Sequence, residues 1–215
     1  MDTLSSISEY LQQGRANNVR ELVKQAIDEG IAAQDILEKG LLAGMGIIGG
    51  KFKNNEVFVP DVLIAARAMN AGTEILKPLL ASGGVTAKGT VILGTVKGDL
   101  HDIGKNLVRM MMEGKGLEVI DLGVDVPSER FVEAAKENNA QIIACSALLT
   151  TTMPAMEEVV QKAKEAGIRD SVTIMVGGAP ITDGFCDKIG ADIYTPDAST
   201  AADRAVEACA ARLNQ

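Results

Sequence analysis

Apolar residues recur with a helical period through the first part of the chain. Val19, Leu22, Val23, Ala26 and Ile27 fall at i, i+3, i+4, i+7 and i+8, which places them on one face of a helix. Leu4, Ile7 and Leu11 make a shorter stripe before it, and Gly14 supplies a stop. A third helix is expected from Ala33 through Ile48, ending at Gly49-Gly50. A fourth is expected from near Pro60, a residue favoured in a first turn, to about Leu80. Four helices with short connections predict an N-terminal four-helix bundle over residues 1–85.

The period changes beyond the glycine-rich, polar break at residues 82–89. Short apolar runs follow at Thr90–Thr95, Glu118–Leu122, Gln141–Cys145, Val172–Val176 and Asp192–Tyr194. Helical stretches near 103–115, 128–138, 153–166 and 181–189 alternate with them, and a last one lies near 199–213. This alternation predicts an α/β domain over residues 86–215, a parallel sheet covered by helices on both faces. The expected architecture is Rossmann-like, of the flavodoxin kind, with five strands in the order 2-1-3-4-5. Ligands in such sheets bind beyond the carboxyl ends of the strands, near the point where the first and third diverge.

The loops expected there carry the candidate chemistry. After the first strand, Val96 to Asn106 holds the only histidine of the chain, His101, with Asp99 two residues before it and Asp102 one after. After the third strand comes a run rich in hydroxyls, Ser146-Ala147-Leu148-Leu149-Thr150-Thr151-Thr152. After the fourth, Gly177-Gly178-Ala179-Pro180 lets a ligand approach the backbone closely. The fifth ends in Thr195-Pro196-Asp197-Ala198. This rim is polar, nearly neutral and glycine-lined, and it suits a large, planar, weakly charged ligand.

Other readings of the first loop fit less well. A phosphate-binding loop reads G-x-x-x-x-G-K-[ST], but Gly98 and Gly104 stand one residue too far apart and Asn106 replaces the hydroxyl. A dinucleotide fingerprint is absent. A receiver-type phosphoacceptor requires an Asp at the end of the third strand, where Cys145-Ser146 stands. One histidine does not make a zinc site. A histidine satisfied by Asp99 and otherwise idle is the plain alternative.

Composition narrows the classes further. The chain of 215 residues is 47% hydrophobic, enough for real cores. Four Phe, two Tyr and no Trp leave little to stack bases on, and a net charge of −8 repels a phosphate backbone, so no nucleic-acid partner is expected. Cys145, Cys186 and Cys209 form no C-x-x-C pair and suit a reducing compartment. No signal peptide or membrane-length apolar run is visible, so a cytoplasmic protein without a membrane partner is expected. Met111-Met112 read as core filler and Cys145 as a buried thiol.

Asp99-x-His101-x-x-Gly104, Ser146-x-Leu148 and Gly177-Gly178 resemble the D-x-H-x-x-G…S-x-L…G-G signature of cobalamin-binding domains in methyltransferases. The stretch Phe52-Lys53-Asn54-Asn55-Glu56-Val57-Phe58-Val59-Pro60 is similar to the helical cap preceding that domain in methionine synthase and in small corrinoid proteins of methanogens and acetogens. The resemblance spans nearly the whole chain and implies a methyl carrier that is not an enzyme alone. It implies that His101 replaces the corrinoid's own lower base on cobalt, the base-off/His-on state, within a loop that includes Gly98, Asp102 and Ile103. Asp99 would take the other ring N–H, with Thr152 continuing the chain where methionine synthase has Ser. Ser146 and Thr150 would border the base of the nucleotide tail, beside Leu148, and Gly177 and Gly178 would leave room for it.

By the same resemblance, Phe52, Val59 and Val62 would shield the upper face of the cobalt, with residues 82–89 as hinge. The cofactor would pass through methylcob(III)alamin, cob(I)alamin and cob(II)alamin states. Implied partners are a substrate-specific methyltransferase, an acceptor methyltransferase acting toward tetrahydrofolate or a thiol, and a reductive activating protein. A corrinoid-binding regulator and an adenosylcobalamin mutase subunit are the alternatives. The methylated substrate is open among methoxyaromatics, methylamines, quaternary amines and methanol.

Overall fold

The first helix begins where Asp2 accepts the backbone N–H of Ser5 at 2.7 Å, an N-cap that satisfies one of the orphan donors of the first turn. A computed structural model of the chain describes residues 2–82 and 87–213. By internal contacts it divides into two compact units, Met1–Thr86 with Gly114–Gly116, and Ala87–Glu113 with Leu117–Gln215. Of the expected hinge 82–89, residues 83–86 lie outside the described residues.

In the helical unit, α1 (Thr3–Gln12) buries Ile7 and Leu11, and α2 (Ala16–Asp28) buries Val19, Val23 and Ala26. Gly14 turns between them at φ +69, and a Cβ there would strike the side chain of Ile64. The third expected helix is longer than the apolar pattern predicts. It starts as α3 (Ala33–Asp35), passes through a π-helical stretch at Ile36–Leu42 and continues as α4 (Ala43–Lys53). It does not stop at Gly49-Gly50. The stop is Asn55, left-handed at φ 59, with Glu56 N–H donating to Lys51 C=O (2.8 Å) and Asn55 N–H to Phe52 C=O (3.0 Å). That is the paired-bond helix end usually built on glycine, here built on asparagine. Gly44 is needed inside the helix, because a Cβ there would lie 3.0 Å from the Ser8 carbonyl oxygen on α1. The fourth helix, α5 (Val59–Ser82), begins with Asp61 accepting Phe58 N–H at 2.8 Å.

In the second unit, strand and helix alternate as expected: β1 (Thr90–Thr95), α6 (Ile103–Glu113), β2 (Glu118–Asp121), α7 (Ser128–Glu137), β3 (Ile142–Ser146), α8 (Pro154–Glu165), β4 (Thr173–Gly177), α9 (Asp183–Ile189), β5 (Ile193–Tyr194) and α10 (Ala198–Leu213). The described residues form a five-stranded, all-parallel sheet in the order β2-β1-β3-β4-β5, the Rossmann-like order expected from the sequence. Ile92, Phe131, Ile143, Met156, Val159 and Ile174 make part of its core. Gly94 is small because Phe131 fills its space, 2.8 Å from where a Cβ would sit. Met111 and Met112 are buried apolar filler, and burial pushes the Cys145 thiol up to about 12.

The strands β3 and β4 end one residue later than the apolar runs suggest. That shift makes Ser146 and Gly177 strand-terminal, and the register pairs Thr95 with Ser146 and Ser146 with Gly177. Three loops therefore leave the sheet from one row, at the switch point. Among the described residues, no helix is long and apolar enough to cross a membrane.

Candidate functional site

Asp99 is fully buried in the loop between β1 and α6, and every polar contact of its carboxylate is a donor. Oδ1 accepts the backbone N–H of His101 at 3.1 Å and stands 2.7 Å from His101 Nδ1. Oδ2 accepts Leu148 N–H at 2.8 Å, Leu149 N–H at 3.3 Å and the Thr152 hydroxyl at 2.8 Å. Burial by itself would raise the pKa of this carboxyl. The donated bonds, Leu148 N–H foremost and then the His101 ring, outweigh burial and hold it well below the usual carboxylate range. The stability tied to this ionised form is present above the usual range and is lost only as pH falls through the depressed value.

An ionised, acceptor-only carboxylate beside Nδ1 fixes the histidine tautomer. Nδ1 carries the hydrogen and Nε2 keeps its lone pair. The His101 side chain is 51% exposed, so that lone pair is available to a ligand. Thr152 Oγ1 also lies 2.9 Å from Leu149 C=O, and its single proton goes to the stronger acceptor, the charged carboxylate. An Asp99→Asn substitution is therefore expected to do more than lower a charge. Both oxygen positions face donors, so the amide NH2 must meet at least one of them; turned toward His101, it donates to Nδ1 and moves the ring hydrogen to Nε2. With one histidine in the chain, ¹⁵N imidazole spectra of the apo protein read this directly: Nδ1–H in the wild type, a majority of Nε2–H in the variant.

The surroundings of His101 are apolar and open. Leu100 and Ile103 are 71% and 76% exposed, and Leu148 and Leu149 are each 42% exposed. All four flank His101 or the amides that hold Asp99. Exposed aliphatic side chains gathered around one oriented nitrogen are a seat for a broad apolar surface with a Lewis-acidic centre. Gly104 fits it, since a Cβ there would meet nothing within 4 Å in the protein. Gly98 turns at φ +83, with its Cβ position 3.5 Å from the Thr152 methyl. Gly178, at φ +135, packs on the Ala147 peptide, whereas Gly177 has only Thr195 C=O near its Cβ position, at 3.7 Å.

The structure thus brings His101, Asp99, Thr152 and Leu148 together, with Gly98, Ile103, Gly104, Gly177 and Gly178 on the three adjoining loops. Thr150 is exposed and Ser146 is half-buried at the strand end. Asp102 is turned to the helix start, where it accepts the Asn106 side chain at 3.1 Å. Phe52, Val59 and Val62 belong to the helical unit, where Val62 is fully buried and the other two are half-buried. Three participants escape the sequence pattern. Leu149 acts through its backbone N–H, which leaves no side-chain signal. Thr95 donates to His101 C=O at 2.8 Å, and its signal is a hydroxyl ending an otherwise apolar strand. Asp125 accepts Gly98 N–H at 2.7 Å from the loop after β2.

Among the described residues, no group of three or more His, Cys, Asp or Glu is placed to hold a free metal ion. A single imidazole suits a metal that arrives inside a macrocycle, and this one stands where α/β sheets of this order bind their ligands. Comparison with known families agrees. Residues 89–206 match the B12 binding domain, and residues 3–77 match a second family of the same description. The chain belongs to the B12-binding corrinoid proteins, and its cofactor is a corrinoid. It is 49% identical over 174 residues to dimethylamine corrinoid protein 1 of Methanosarcina acetivorans, covering 80% of this chain and 82% of that one. It is 48% identical over 181 residues to trimethylamine corrinoid protein 1 of the same organism, covering 83% and 84%. A chain in the crystal structure of the methanol:cobalamin methyltransferase complex of Methanosarcina barkeri superposes with a TM-score of 0.88 at 31% identity, covering 97% of this chain and 80% of that one.

Proposed function

We propose that this chain carries a methyl group between two methyltransferases on a corrinoid held base-off, with His101 Nε2 as the lower ligand of cobalt. The observation that carries this reading is the buried Asp99 carboxylate, which gives His101 one tautomer and leaves Nε2 exposed. When bound, the corrinoid supplies a cobalt centre able to take up a methyl group and release it again. The protein's part is to position and to exclude. Asp99 orients the ring. Thr152 and the Leu148 and Leu149 amides keep Asp99 ionised. Leu100, Ile103, Leu148 and Leu149 keep water from the lower face. Ser146 and Thr150 border the nucleotide tail, and Gly177 and Gly178 give it room. Phe52 and Val59 shield the opposite face of the cofactor, with Val62 as fully buried support in the helical unit, a role that rests on likeness to the caps of related proteins.

The substrate class we infer is a methylamine, since relatives named for dimethylamine and trimethylamine are matched almost equally well. The donor enzyme is then an amine-specific methyltransferase, the acceptor enzyme delivers the methyl to a thiol or tetrahydrofolate, and a reductive activator restores cobalt that has been oxidised. The protein loaded with cobalamin and reduced should be methylated, by its absorption spectrum, when mixed with a dimethylamine or trimethylamine methyltransferase and the matching amine. Methylation with a methanol-specific enzyme and methanol, and none with either amine pair, would overturn the substrate class.

A further inference from the structure

We propose that Asp125 is a positioning residue for His101, gripping the His101 loop from the neighbouring turn and so setting the direction of Nε2. This rests on the reading of His101 as the cobalt ligand. Asp125 lies between β2 and α7 with φ +53, a left-handed conformation that glycine adopts freely and that Asn and Asp tolerate better than other residues with a side chain. Glycine would make the same turn with less strain, and Gly123, two residues earlier, does so at φ +88. The side chain at 125 has a task that glycine lacks. Its Oδ1 accepts Gly98 N–H at 2.7 Å, while its own backbone N–H donates to Asp99 C=O at 3.0 Å.

One residue therefore holds the N–H entering Gly98 and the C=O leaving Asp99, two points that bracket the turn before His101. The other side of the loop is fixed by Thr95, whose hydroxyl donates to His101 C=O at 2.8 Å, and by Asp99 N–H donating to Val96 C=O at 3.1 Å. Gly98 itself is left-handed at φ +83, and glycine's freedom lets its peptide reorient within the turn once the Asp125 carboxylate is gone. Rotation there tilts Asp99, and the imidazole bonded to Asp99 follows. Asp125 is exposed, so its charge does little for the fold. An exposed Asp in a turn that glycine makes with less strain, its carboxylate bonded to a ligand loop, marks geometry kept for function.

Two variants separate positioning from folding. Asp125→Gly keeps the backbone bond to Asp99, relieves the left-handed strain and removes only the grip on Gly98. Asp125→Asn keeps an oxygen acceptor and a residue that tolerates the turn. The apo proteins should melt close to wild type. In cobalamin-loaded Asp125→Gly, reduced to cobalt(II), the ratio of histidine-bound to histidine-free cobalt should fall about five-fold, the size expected for one hydrogen bond. The axial-nitrogen splitting in the electron paramagnetic resonance spectrum reads this ratio. Asp125→Asn should restore the wild-type ratio, and ¹⁵N ring signals of the apo glycine variant should show a more mobile imidazole. An unchanged ratio and unchanged ring signals in Asp125→Gly would overturn the proposal, as would an Asn variant no better than Gly. If cobalt in His101→Ala protein kept its axial nitrogen, the ligand reading would be the one to fall, and the apo ring signals would still decide whether Asp125 holds the loop.

Discussion

His101→Ala protein is expected to take up corrinoid and show no axial nitrogen on cobalt at any pH. The chain has no other histidine to substitute. The rest of the seat should survive the change. Asp99 keeps its backbone bond at residue 101 and the three donors on Oδ2, so the loop stays folded around an ionised carboxylate. The exposed Leu100, Ile103, Leu148 and Leu149 still offer the apolar surface. Truncation leaves a space the size of an imidazole beside Asp99 Oδ1, which can still accept an N–H. Added imidazole should therefore enter, donate to Asp99 and restore an axial nitrogen, while N-methylimidazole, which has no N–H to give, should restore it far less well. Methyl transfer should fall with the loss and recover with imidazole. A variant whose cobalt(II) spectrum matches the wild type would sink the ligand assignment, and equal rescue by both imidazoles would remove Asp99 from its role.

The parts of this site that are legible in sequence are those carried by side-chain type at fixed spacing. Asp99 and His101 are two residues apart, and the alternation of strand and helix is enough to place them at a switch point. The link to Thr152, 53 residues away, is different, because spacing alone does not pair a threonine with a particular carboxylate. It is readable only through the family's motif order. Leu149 and the backbone half of Asp125's grip are not readable at all, since amides carry no residue signature. The helical unit shows the same division. The stripes of α1 and α2 are plain because burial selects apolar residues at helical spacing. The end of α4 is misplaced by the pattern because Gly49-Gly50 imitates a stop, whereas the real one depends on Asn55 entering a left-handed conformation. The π-helical stretch at Ile36–Leu42 leaves no periodic trace, being a local change of hydrogen bonding within one continuous helix.

Gly178→Ala is expected to be severely destabilising, and Gly177→Ala, one residue earlier, nearly silent in the apo protein. A Cβ on Gly178 would lie 1.8 Å from the carbonyl oxygen and 2.9 Å from the carbonyl carbon of Ala147, backbone atoms of the loop after β3 that cannot swing aside like a side-chain tip. Its φ of +135 is strained for any L side chain as well. Backbone strain of ~1–3 kcal/mol and an overpacking cost of ~1–3 kcal/mol apply together. At about 2–4 °C per kcal/mol for a chain of this size, the melting temperature should drop by roughly 4–24 °C. The damage should also reach the histidine. Ala147 directly precedes Leu148, whose N–H is a main support of Asp99, so displacing the Ala147 peptide loosens the carboxylate that orients His101. Folded Gly178→Ala protein should therefore give a weaker axial nitrogen signal from a residue that never touches the ring. At Gly177 the nearest atom to a Cβ is Thr195 C=O at 3.7 Å, an ordinary contact, and the backbone is unstrained. Its alanine variant should melt close to wild type, and any loss of corrinoid uptake would then report room taken from the nucleotide tail rather than damage to the fold. Equal melting temperatures for the two variants would show that the Ala147 loop yields, and would remove Gly178 as the link between the fourth strand and the histidine.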